Sequence, residues 1–176
     1  MQNAPDPELL RRNLEALGNR SRRAIEAILA ASAADVEFSL ADDQGVTATL
    51  GRGSERRQLA SRRAPLDEAR KLVATVDLRK SATVVVLGLG VGHHVAELAR
   101  GMKHTGLILV FEPDASLMRA LFERIDCTAW LRASNVAILT DPADAGAIAE
   151  VVPGFEGVLG SGTVFLAHPP SAPRLG

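Results

Sequence analysis

The sequence predicts an α/β fold: a Rossmann-like parallel sheet with flanking helices, preceded by a small α+β annex of helices and a β-hairpin. Three observations predict it. From residue 82 onward, short runs that are apolar on both faces (ATVVVLG, LILVFE, NVAILT and GTVFLA) alternate with helical segments. That is the pattern of a parallel sheet covered on both sides. The first run ends in glycines at 88, 90 and 92 and passes directly into a helical pattern, as a turn that lets a ligand approach the backbone requires. Residues 1–64 differ in texture, and we divide the chain into that annex and a nucleotide-binding-type unit over 65–176.

Taken in order, residues 8–31 read as two helices. Leu10, Leu14 and Leu17 recur at helical spacing, Gly18-Asn19 supplies a stop, and Ser21 is placed to cap a second helix burying Ile25, Ile28 and Leu29. VEFSL (36–40) and VTATL (46–50) alternate apolar with polar around Asp42, Asp43 and Gly45, a hairpin signature. Pro65 opens a helix, PLDEARKLVATV, with Leu66, Ala69, Leu72 and Val73 inward. Beyond the first strand, Val91, Val95 and Leu98 form one helical stripe and Leu117, Leu121 and Ile125 another. A short helical piece, CTAWLR, precedes the third strand, and PADAGAIAEVV precedes the fourth.

Composition bounds the function. A chain of 176 residues buries about 70% of its unfolded surface, so one ordinary domain with an annex is expected. Aromatics make up 3% of residues, with no tyrosine, which leaves nothing for a base-stacking platform. The net charge of −1 gives no basic footprint, so no nucleic-acid partner is expected. Arg56, Arg57, Arg62 and Arg63 cluster, and the plain reading of the cluster is a solvated surface. The lone Cys127 excludes an internal disulfide and leaves no metal pattern. No apolar run approaches the roughly 20 residues that span a bilayer, and MQNAPDPELLRR lacks a signal peptide's apolar core. A soluble cytoplasmic protein is the expectation.

Ligands of open parallel sheets bind outside the carboxyl ends of the strands. Those ends carry Gly88, Gly90 and Gly92, then Glu112 and Asp114, then Asp141. Glu112 follows Gly88 by twenty-four residues, near the spacing of about twenty expected of an acid that binds ribose hydroxyls. Asp141 suits a base edge. The cofactor-binding set is therefore Gly88, Gly90, Gly92, Glu112 and Asp141, for a nucleotide-like ligand of unknown identity. On this reading Gly90→Val fills the cradle and abolishes binding while the fold survives. The plainer alternative makes the glycines a tight turn and the acids helix caps, Asp114 above all. His93 and His94 diverge by about 100° on a helix and do not share a metal; at least one reads as first-turn surface, and His168, which ends the last strand on the same side of the sheet as the glycines, reads as a loop residue. No catalytic group and no metal site is assigned.

Three chemistries use such turns. A nicotinamide dinucleotide wants GxGxxG, and GLGVGH places His93 where the third glycine belongs. The GxGxG spacing resembles the S-adenosylmethionine motif of class I methyltransferases, which implies Glu112 on the ribose and Asp141 on the adenine amino group. Val86 stands where many members of that family carry an acid. The blocks LASRRAPLDEARKLV, VVVLGLGVGHHVAEL, ILVFEPDASLMRALFERIDCTAWL, NVAILTD and AHPPS together resemble the motility accessory factor family. These are flagellin glycosyltransferases related to a family annotated after an archaeal hydroxymethylpterin pyrophosphokinase. That resemblance implies the Rossmann-like domain of a protein linked to flagellin or surface glycosylation. A following transferase domain and flagellin are then its partners, and the chain lacks a complete transferase domain. A methyltransferase and a non-enzymatic interaction module remain as alternatives, so whether the chain is an enzyme stays open.

Overall fold

Asp6 opens the first helix, α1 (Pro7–Leu17), by accepting the main-chain N–H groups of Glu8 and Leu9, while Pro7 fills a first-turn position whose missing N–H costs nothing. Gly18, at φ +71°, ends it. The computed structural model describes residues 4–103, 105–133 and 135–174. After a turn of 3-10 helix come α2 (Arg22–Ala30), β1 (Val36–Leu40), β2 (Val46–Leu50), β3 (Arg57–Gln58) and α3 (Pro65–Val73). The remainder alternates: β4 (Thr83–Leu87), α4 (His93–Met102), β5 (Leu107–Phe111), α5 (Ala115–Phe122), α6 (Thr128–Ala133), β6 (Asn135–Leu139), α7 (Ala145–Val151), α8 (Glu156–Leu159) and β7 (Thr163–Ala167).

The fold is α/β. β1, β2 and β3 form an antiparallel sheet, and the other four strands form a parallel sheet in the order β6-β5-β4-β7. The pleat sorts the parallel strands by parity. Val84, Val86, Ile108, Val110, Val136, Ile138 and Leu166 face a core shared with α4, α5 and α6. Leu107, Ala137 and Leu139 face the other way, against Ala147 and Val151 of α7 and Phe155. Leu10, Leu14, Leu17 and Ile28 of the N-terminal helices and Phe38, Ala48 and Leu59 of the hairpin region belong to the first of these cores. The N-terminal segment thus shares its buried side chains with the sheet unit.

Two details of the N-terminal helices depart from expectation. Ser21 makes no cap; its hydroxyl accepts the Ile138 N–H at 2.9 Å, tying the 3-10 turn to β6. Leu29 is 55% exposed, because the inward stripe of α2 is Ala24 and Ile28.

Asn13 anchors α1. It is fully buried, donating from Nδ2 to the carbonyls of Phe122 (2.9 Å) and Ile125 (2.8 Å) and accepting the Cys127 N–H (2.9 Å). Asn13→Ala strands two buried main-chain groups and a part-buried one, and an unmade buried bond costs about 1–3 kcal/mol. The expected loss is about 3 kcal/mol in urea unfolding. A loss under about 1 kcal/mol would mean that water or relaxation satisfies the stranded groups.

Candidate functional site

The strand order reverses at β4: β5 and β6 lie on one side of it and β7 on the other. At such a switch point the loops leaving adjacent strands part in opposite directions and open a crevice at the carboxyl ends. The crevice therefore lies between the turn after β4 and the segment after β7. A cavity of about 60 Å³ sits there, lined by Val91, His93 and His94 from the first, His168 and Pro169 from the second, and Leu59, Ala60, Pro65, Glu68, Ala69 and Leu72 from the β3–α3 region.

The histidines are built into this site. His94 is 3% exposed and donates its Nε2–H to the Gly88 carbonyl at 3.0 Å. Its ring stacks on that of His168, with centroids 4.5 Å apart and planes 9° from parallel. His168 is buried too, and its Nδ1 shares a 2.8 Å hydrogen bond with the hydroxyl of fully buried Ser171. His93 donates to the Val46 carbonyl at 2.6 Å, linking the start of α4 to the hairpin. His93 and His94 do open α4 and His168 does lie in the loop after β7, as expected, but His94 and His168 are buried, and His93 is half-buried. Burial pushes His94 down to about 3, with the neighbouring His168 adding to the effect. Burial likewise pushes His168 down to about 4, with His93 contributing. Both rings are neutral at pH 7, so they act as hydrogen-bonding groups and not as cations.

The glycines have left-handed backbones, with φ of +93° at Gly88, +52° at Gly90 and +89° at Gly92. Each also admits a protein group. A Cβ on Gly88 would run into the Ser171 Cβ, one on Gly90 into the His168 ring, and one on Gly92 would lie 3.2 Å from Trp130. The segment after β7 is thus packed onto the glycine turn, and Gly90→Val would strain the fold as well as the cradle. That substitution does not separate binding from folding, contrary to the expectation above. Gly92 also precedes α4 without supplying a capping side chain, which leaves the positive end of that helix uncapped.

The acids are engaged by main chain. Glu112 is fully buried; Oε2 accepts the Leu89 N–H at 2.9 Å and Oε1 the Asp114 N–H at 3.1 Å. Glu112 therefore braces the glycine turn against the end of β5. Asp114 caps α5 through the Leu117 N–H at 2.8 Å, as expected. Asp141 is exposed and closes a local turn on the Ala143 N–H at 2.8 Å. Neither Glu112 nor Asp141 lines the cavity, which lies on the β7 side.

No protein-family model, curated protein or solved structure matches this chain. Among the described residues, no group of three or more His, Cys, Asp and Glu side chains is arranged to hold a metal ion, and no helix is long and apolar enough to cross a membrane. Cys127 is fully buried, which raises its thiol well above the ordinary value and keeps it from nucleophilic chemistry. In the arginine-rich connector, Arg56 pairs with Glu37 and Arg62 donates to Gln58 at 2.9 Å.

The spacing of the glycines pointed to this end of the sheet, but the partnership of His94, His168 and Ser171 was missed. AHPPS was the available signal, since a strand end rich in polar and turn residues sits beside the ligand crevice when its strand neighbours the glycine strand.

Proposed function

We propose that the chain is a Rossmann-like ligand-binding domain of the motility accessory factor type, linked to flagellin or surface glycosylation. On this reading it holds a nucleotide-like ligand in the cavity where the histidines at the start of α4 and after β7 face the β3–α3 region. The observation that carries the reading is the cavity at the switch point, with an uncapped helix start beside it and neutral imidazoles along its wall. An anionic group suits the helix end, and the imidazoles with Leu59, Leu72 and Val91 suit a flat, partly apolar body. The cavity, at about 60 Å³, is too small for a whole nucleotide, which requires the His168–Ser171 turn to swing aside.

Thermal unfolding at pH 7.5 with CMP, UDP-sugars, NAD and S-adenosylhomocysteine tests this. A ligand at a hundred times its dissociation constant adds about 2.7 kcal/mol, or about 5–10 °C for a chain of this size. A pyrimidine nucleotide or its sugar is expected to give that shift, and Ala69→Met, which fills the cavity from α3, is expected to remove it. No shift from any of the four would sink the proposal and favour a pure interaction module. A shift from S-adenosylhomocysteine alone would favour the methyltransferase reading. Complete burial of Glu112 weighs against that reading, since it needs the carboxylate to reach ribose.

A further inference from the structure

The turn between β4 and α4 offers more hydrogen-bond donors than the protein uses. Glu112 accepts the Leu89 N–H, and the Leu89 carbonyl accepts that of Gly92. The N–H groups of Gly90, Val91, His93, His94 and Val95 meet no acceptor among the described residues. All of these residues except His93 are buried, and buried donors are ordinarily paired. The free groups run from the glycine turn into the positive end of α4, an arrangement that takes anions.

His168 adds an independent donor from the segment after β7. Its ring is 6% exposed, and Nδ1 is engaged by Ser171. The Ser171 hydroxyl has no other side-chain partner among the described residues, so its hydrogen lies on the bond to Nδ1. The neutral ring then carries its own hydrogen on Nε2, and no described residue accepts it. Nε2 lies 3.2 Å from where a Cβ of Gly90 would stand, beside the unpaired N–H groups. His94 is the complement: its Nε2–H is engaged by the Gly88 carbonyl, which leaves Nδ1 a bare acceptor without a described partner. Both rings line the cavity.

The rest of the lining selects the kind of anion. It contains no lysine or arginine and one carboxylate, Glu68, whose Oε2 accepts the Ser61 N–H at 2.7 Å. A doubly charged phosphoryl group would have no cation beside it and a like charge in the same lining. A single charge spread over two oxygens is matched by main-chain and imidazole N–H groups alone. We propose that this cavity binds a small hydroxycarboxylate of the size and polarity of lactate. The carboxylate accepts from the unpaired N–H groups of the turn and from His168 Nε2–H, the hydroxyl donates to His94 Nδ1, and the aliphatic part lies against Leu59 and Leu72. That occupant rests on the reading of the cavity as a ligand site, and it enters with the His168–Ser171 turn in place.

Amide NMR titrations of the chain at neutral pH with lactate, propionate, lactamide and inorganic phosphate separate these contributions. Lactate should shift the amides of Gly90, Val91, His93, His94 and Val95. It should bind about tenfold more tightly than propionate, which lacks the hydroxyl, or lactamide, which lacks the charge. Phosphate should leave those amides in place. His168→Phe keeps a ring against His94 without the Nε2–H and should weaken lactate about tenfold. Circular dichroism checks its fold, and the ligand series on the native chain decides the matter if the variant unfolds. Propionate, lactamide or phosphate binding as tightly as lactate would overturn the proposal. So would lactate binding that leaves these amides unmoved, or that a folded His168→Phe protein retains in full. No lactate binding at tens of millimolar, beside a thermal shift from a nucleotide, would sink this occupant and keep the ligand site; absence of both would sink both.

Discussion

Between pH 6.5 and 4 the protein is expected to lose roughly 5 kcal/mol of stability, most of it through His94 and His168. Both groups have folded values, about 3 and about 4, below the unfolded value of 6.5. In this window the unfolded chain binds protons that the folded protein refuses. Stability is therefore complete above pH 6.5 and declines as pH falls toward the folded values, by about 1.4 kcal/mol per pH unit for each histidine. Such a loss is a third or more of the roughly 5–15 kcal/mol total of an ordinary domain, so the urea midpoint should fall steeply as pH drops toward 4. The carboxylates act in a separate window. Asp126, held low by the Thr128 hydroxyl, and Asp144, held low by the Ala147 N–H, add stability that is lost only as pH falls below the ordinary carboxylate range.

Urea titrations at half-unit steps of pH separate the two. His94→Gln keeps a donor for the Gly88 carbonyl and His168→Asn keeps a partner for Ser171, but neither titrates. The double variant should be nearly level between pH 6.5 and 4.5, while the native chain slopes steeply. A level native curve would mean that the two rings are not held neutral.

The parts of this molecule that were legible in the sequence are those decided by local pattern. The hairpin at 36–40 and 46–50 and the four parallel strands follow from runs whose periodicity is complete within five residues. Asp114 was legible as a cap because its partner, Leu117, is three residues away. What was not legible depends on distant partners. Ser21 bonds Ile138, and Asn13 bonds residues around 122–127. Nothing near either residue announces those contacts, and a helix-cap assignment for Ser21 was the best local guess. α8 and β3, of four and two residues, are too short for a period to register. The histidine pair belongs to the same class. His94 and His168 meet only because β7 pairs with β4 and not with β6, and strand order is a tertiary fact. Without it, His168 is placed at the glycine end of the sheet but has no partner. The glycines were legible as a turn, whereas their reason was not, since the groups over Gly88 and Gly90 come from the far end of the chain and the one over Gly92 from α6.

That reason yields a graded expectation for alanine at the three glycines. A left-handed backbone with a Cβ costs about 1–2 kcal/mol, and forced contact adds about 1–3 kcal/mol. Gly88→Ala should be the most damaging, at about 4 kcal/mol, because its Cβ meets the Cβ of buried Ser171, an atom fixed to the main chain. Gly90→Ala should cost about 3 kcal/mol, since the His168 ring it meets is pinned by stacking and by Ser171. Gly92→Ala should cost nearer 1–2 kcal/mol, approximately the backbone term alone, because Trp130 is half-buried and its ring lies at 3.2 Å. A double-mutant cycle isolates the packing part. With His168→Ala the ring is gone, and the additional cost of Gly90→Ala should fall to the backbone strain, a coupling of about 1–2 kcal/mol. Gly88→Ala should show no such relief with His168→Ala, since its obstacle is Ser171. Equal costs at all three positions, with no coupling to His168, would mean that the turn needs glycine only for its backbone angles. The segment after β7 would then not be seated on it in solution.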